Sequence, residues 1–187
     1  IKPAAAAEYL GIPNVIMVKY GDKPAPPFDL SAEPFRPLQR VVWSIIGDSS
    51  SSSDSDLPAV RELAAKFPNV CGVMMDDFFS RGGQHPAPFS PEQLAELQTQ
   101  LTVNNKKLDL WVVLYSHELH LPLEPYLKHC DYLTFWTWNS ENLVHLEHNF
   151  AEVEKRFPSC RKVLGCYMYD FGNRKPMPVE LMELQSR

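Results

Sequence analysis

A chain of 187 residues, 44% hydrophobic and 22% charged, has the composition of one globular domain with a sizeable core. Its net charge of −5 shows no basic surplus, which argues against nucleic acid as a partner. No apolar stretch reaches the roughly 18 residues that a bilayer-spanning helix needs, so no membrane partner is expected either.

In chain order, Pro3–Leu10 reads as a helix with Gly11 as its stop, and Val15–Tyr20 as a strand. Gly21–Pro37 is proline-rich and reads as a long irregular loop. Arg40–Ile46 is the next strand; it runs into Gly47-Asp48 and the serine tract Ser49–Ser53, a low-complexity loop with Asp56 as the following helix cap. Leu57–Phe67 is amphipathic, with Val60, Leu63, Ala64 and Phe67 on one face. Val70–Met75 is a short apolar run of the kind that forms a strand buried on both faces, and it ends abruptly in Asp76-Asp77-Phe78-Phe79. Ser80–Phe89 reads as a loop able to cover a site. Ser90, Pro91 and Gln93 form a capping-box start for a helix with a Leu94/Leu97/Leu101 stripe. Asp109–Tyr115 is a strand, Leu123–His129 a short helix, Tyr132–Trp138 a strand and Asn142–Phe157 a long helix. Lys162–Asp170 is a last strand, and a helix begins at Val179.

This alternation demands parallel neighbours joined by right-handed crossovers. No GxGxxG follows any strand, which disfavours a dinucleotide-binding fold. The expected fold is therefore α/β: a single parallel (β/α) barrel of TIM type over residues 1–187. About six strands are visible, so the barrel is expected to be incomplete and reads as truncated at its C-terminus. The first residue is Ile1 and no signal-peptide pattern is visible, so the chain reads as processed, trimmed or a fragment. The four cysteines lack metal-type spacing and read mainly as small apolar core residues.

Alternation within the strands separates barrel-facing from helix-facing side chains. It sends Leu110, Val112, Leu114, Leu133 and Phe135 toward helices, and Tyr115, His117, Thr134, Trp136 and Trp138 inward. In the last strand Gly165, Tyr167 and Tyr169 share the inward set. Asp76 and Asp77 cannot both face inward from a regular strand. Asp76 takes the interior, and Asp77 either caps a loop or turns inward because the strand has ended. Two carboxylates at a strand end are costly unless solvated, paired or used. Asp76, Asp77 and Asp170 are thus the candidate catalytic groups. Trp43, Tyr115, His117, Trp136, Trp138 and Tyr169 are expected around the same mouth, where rings stack on the apolar faces of sugars. The candidate ligand is a small molecule or an oligosaccharide.

Two segments resemble glycoside-hydrolase TIM barrels of the chitinase-type, family-eighteen superfamily. Tyr169-Asp170-Phe171 looks like that family's tyrosine–aspartate step, which the resemblance assigns to holding a substrate acetamido group. Gly72–Phe78 is similar to the strand bearing its acidic motif, except that Met74 stands at the first aspartate and Phe78 at the glutamate acid. The family's reaction is therefore not carried over. A glycosidase needs two carboxyls; Asp76 with Asp170, Asp76 with Asp77, and Glu118 are the options. Such an enzyme would be expected in the periplasm or outside the cell.

No cofactor is expected. The alternatives are a catalytically silent glycan-binding barrel and a metal-dependent sugar isomerase or epimerase. The latter would hold a divalent cation with Asp76, Asp77, His117 and Asp170. His117-Glu118-Leu119-His120 lacks HExxH spacing, and no GxSxG elbow is present, which disfavours zincin and acyl-transfer chemistry.

Overall fold

The computed structural model describes residues 2–21, 23–46, 56–79 and 87–186. The expected serine-rich loop (49–53) and most of the expected covering loop (80–89) lie outside them. Six strands form one sheet: β1 (Asn14–Met17), β2 (Arg40–Ile46), β3 (Val70–Met75), β4 (Asp109–Tyr115), β5 (Tyr132–Trp136) and β6 (Arg161–Leu164). Every neighbouring pair is parallel, and spatial order follows chain order without a reversal. A singly wound sheet of this kind has no topological switch point, unlike a dinucleotide-binding fold.

Among the described residues, helices cover one face of the sheet. Leu57, Val60, Leu63 and Ala64 of the Leu57–Lys66 helix, Leu94 and Leu97 of Pro91–Thr99, and Leu146 and Val153 of Leu146–Arg156 pack there. They meet Val41, Ile45, Val73, Met75, Leu110, Val112, Leu114, Leu133 and Phe135, the helix-facing residues of the strands. The other face buries a cluster made of strand side chains alone: Val42, Met74, Trp111, Val113, Tyr115 and Tyr132. Trp111 and Tyr132 stack face to face there, 3.9 Å between ring centroids. Gly72 makes that fit possible, because a Cβ would meet Trp111 Nε1 at 2.9 Å and Asp109 O at 2.8 Å. A cavity of about 250 Å³ is lined by Ile16 of β1 and Val163 of β6 together with Val42 and Trp111. The two sheet edges thus curl toward one another around the inner cluster, as in part of a barrel.

Local chemistry explains some element boundaries. Ser90 Oγ accepts from Gln93 N and the Gln93 side chain accepts from Ser90 N, the reciprocal cap that the sequence implies. Gly11 ends the first helix with φ +64°. Asp56 makes no side-chain cap; its carboxylate instead accepts from Lys19 Nζ at 2.8 Å. The expected irregular segment contains helical turns at Asp29–Ala32 and Glu33–Phe35. The expected long helix over 142–157 divides into a 3-10 segment, Ser140–His145, and the α-helix Leu146–Arg156. No helix among the described residues is long and apolar enough to cross a membrane.

The last strand is shorter than expected. β6 stops at Leu164, and Tyr169–Asp170 form a separate two-residue ladder, antiparallel to Lys175–Pro176. A second small hairpin, Thr102–Val103 with Lys106–Lys107, turns through Asn104 and Asn105, both at positive φ. All four cysteines are free.

Candidate functional site

Parallel direction sends the C-terminal ends of β3, β4, β5 and β6 to one end of the sheet. β3 ends at Met75, with Asp76 N still donating to Ile46 O at 3.2 Å. Asp77 then adopts φ +44°, a left-handed conformation that short polar side chains tolerate. This departure from strand geometry resolves the alternation problem. Asp77 turns toward the neighbouring inward-facing position, where Tyr115 Oη donates to its Oδ1 at 2.7 Å.

Tyr115 closes β4 and is nearly buried. Burial, then Tyr167, the hydrogen bond to Asp77 and the charges of Asp77 and Asp76 push its hydroxyl far above the ordinary tyrosine range. It therefore stays protonated and remains a donor. Tyr167, on the segment after β6, is also pushed up, by burial and by Asp76 and Asp77, while a hydrogen bond with Tyr115 pulls the other way. Both carboxylates thus act on the two tyrosines.

Rings surround this group. His117 lies nearly parallel to Tyr115 with centroids 5.4 Å apart. Trp138 stands edge-on to Tyr115 at 5.5 Å and to Tyr167 at 6.3 Å. Trp136 contacts Tyr167 at 4.6 Å and lies against Gly165, where a Cβ would collide with its indole. Phe171 touches Trp138 and Tyr167 at 5.4 and 4.9 Å. The structure therefore gathers Asp76, Asp77, Tyr115, His117, Trp136 and Trp138.

It separates three other expected members. Trp43 is a correction. Val42 faces the inner cluster, so Trp43 faces the helices, fully buried against Phe28 and Phe35 at 5.2 and 6.4 Å. Asp170 is a second correction: its carboxylate is buried and spent on the loop. Oδ2 accepts from Ser140 Oγ at 2.5 Å and Asn173 Nδ2 at 2.9 Å, and Oδ1 accepts from Asn173 N at 3.1 Å. Burial alone would raise this carboxyl, but the Ser140 and Asn173 bonds outweigh it and bring it to about 2. Tyr169 follows from the shorter strand. With alternation ending at Leu164 it sits in the outer hairpin, 41% exposed, and reaches the rings only through Phe171 at 5.2 Å. The third carboxyl option, Glu118, is buried and accepts from Tyr115 N at 2.8 Å, holding the turn after β4.

Tyr167 and Phe171 were not among the expected site residues. Tyr167 carried a signal, since alternation from Gly165 placed it inward. Phe171 carried none, because its position depends on the Asp170 turn.

No group of three or more His, Cys, Asp or Glu among the described residues is arranged to hold a metal ion. Neither a protein-family model nor a curated protein sequence matches the chain. The chemistry of the site is therefore read from its own residues.

Proposed function

We propose that this chain is a carbohydrate-active enzyme of the glycoside-hydrolase kind, built on a TIM-type barrel. The curl of the sheet, its sequential strand order and helices on one face support the barrel. The observation that carries the function is the Asp77–Tyr115 pair, with Asp76 beside it, enclosed by Trp136, Trp138, Tyr167 and His117 at the C-terminal ends of successive strands. Two carboxyls beside aromatic side chains are compatible with glycosidic chemistry. One carboxyl protonates the leaving oxygen, and the other acts as nucleophile or activates water. Tyr115, a permanent donor, holds Asp77 in place as an acceptor. Asp76 supplies the second carboxyl.

One observation favours the silent glycan-binding reading as second choice. Phe78, at the place of the family-eighteen acid, is fully buried among Phe79, Phe89 and Tyr126. No acid can act from there. The sugar-isomerase reading has no such support.

Turnover of a panel of neutral oligosaccharides by the parent, Asp76→Asn and Asp77→Asn proteins tests the proposal. Hydrolysis lost in either variant with glycan binding kept supports an enzyme. Binding without turnover by the parent supports the silent barrel. Neither binding nor turnover contradicts both.

A further inference from the structure

The Tyr169–Phe171 turn presents exposed rings on an unusually well-tied loop. Phe171 is 43% and Tyr169 41% exposed. Beneath them the ionised Asp170 is buried and takes three hydrogen bonds from Ser140 and Asn173. Asn173 Nδ2 also reaches Glu141 at 2.7 Å. Gly172 packs so closely on Asn139 that a Cβ would overlap its side chain. The Lys175–Pro176 ladder closes the turn from the other side. The buried carboxylate and its hydrogen bonds fix the loop, and with it two rings that stay partly exposed to water. The rings are fixed in advance of a contact.

Their placement says which contact. From Tyr115 the rings continue without a break through Trp138 to Phe171 and Tyr169, with centroid spacings of 5.5, 5.4 and 5.2 Å. The chain of rings starts beside Asp77 and ends at the surface. Resting on the glycan reading above, we propose that Tyr169 and Phe171 form an outer platform for a multi-unit neutral glycan chain, whose reacting unit sits at Asp76 and Asp77. Asp170 is a positioning residue for this platform and touches no sugar. The substrate class is accordingly an oligosaccharide or polysaccharide, and rigidity fixed before binding reduces the ordering cost of holding it.

Titrations of the full chain with cello-oligosaccharides and N-acetylglucosamine oligosaccharides of two and six units test this. The parent is expected to bind at least one six-unit chain more tightly than its two-unit counterpart. Tyr169→Ala/Phe171→Ala is expected to weaken the six-unit chain about tenfold more than the two-unit one. Both positions are exposed, so the variant should fold, and circular dichroism checks this. Tyr169→Leu/Phe171→Leu, which keeps apolar bulk without the rings, should lose the same length preference. Two-unit binding with no length preference, or equal losses at both lengths, overturns the platform and leaves the glycan site standing. No binding at either length removes both. A change in oligomeric state in the double-alanine variant, with glycan affinity unaltered, reassigns the rings to protein contact and overturns the proposal.

Discussion

Both ends of the sheet carry carboxylates and tyrosines, but they partner them differently. At the N-terminal end, carboxylates meet cations. Arg40 Nη2 lies 3.1 Å from Asp109 and Lys107 Nζ 2.7 Å from Asp131, while Arg161 Nη1 donates to Tyr132 Oη at 2.7 Å. At the C-terminal end, Asp77 meets a tyrosine hydroxyl, and the surrounding groups are rings. Paired charges serve the fold and are chemically spent. Asp77 instead accepts from a neutral phenol. The contrast separates an ion-paired end of the sheet from an aromatic one.

Four changes would break or sharpen that contrast. The largest stability effect belongs to Trp43, which lies on the helix side. Trp43→Ala should cost about 3–5 kcal/mol in chemical denaturation, with turnover per folded molecule unchanged. Asp77→Asn should reduce glycan turnover by about 10²-fold or more, while its melting temperature stays close to the parent's. Asp170→Asn should cost about 1.5–3 kcal/mol, because it breaks hydrogen bonds to a charged group. The pH sign follows from the Asp170 carboxyl, which lies at about 2 when folded against 3.8 ordinarily. Its stabilisation is present above pH 3.8 and is lost as pH falls toward 2, so acid melting curves of parent and variant should converge there. The smallest effect is expected at the other end. Burial first, then Asp131, raises the Asp109 carboxyl despite Arg40. Asp109→Asn should therefore change stability by less than about 1 kcal/mol and leave turnover untouched.

Much of this architecture was legible because successive strand side chains point to opposite faces, whatever their hydrophobicity. That alternation correctly sorted Leu110, Val112 and Leu114 from Tyr115, and Leu133 and Phe135 from Trp136. It misled where it was not applied or did not hold. The expectation of Trp43 at the mouth rests on its residue type alone, although Val42 and Trp43 must face opposite ways. The run 165–170 is aromatic enough to extend a strand on paper. Gly165, however, lies under the Trp136 indole, and the chain leaves the sheet there. Asp77's left-handed turn and the fixing of Phe171 by Asp170 depend on contacts between distant segments, which local pattern does not encode. The hairpin through Asn104-Asn105 was missed despite its turn chemistry.

The four tryptophans divide between the regions and offer the most direct measurement. Trp136 and Trp138 belong to the candidate site, Trp43 faces the helices, and Trp111 is stacked inside the sheet. In a ¹⁵N-labelled sample titrated with a six-unit oligosaccharide, the indole N–H signals of Trp136 and Trp138 should shift together while those of Trp43 and Trp111 stay fixed. Shifts confined to Trp43 or Trp111, or none at all across the glycan panel, would contradict a carbohydrate site at the C-terminal ends of the strands.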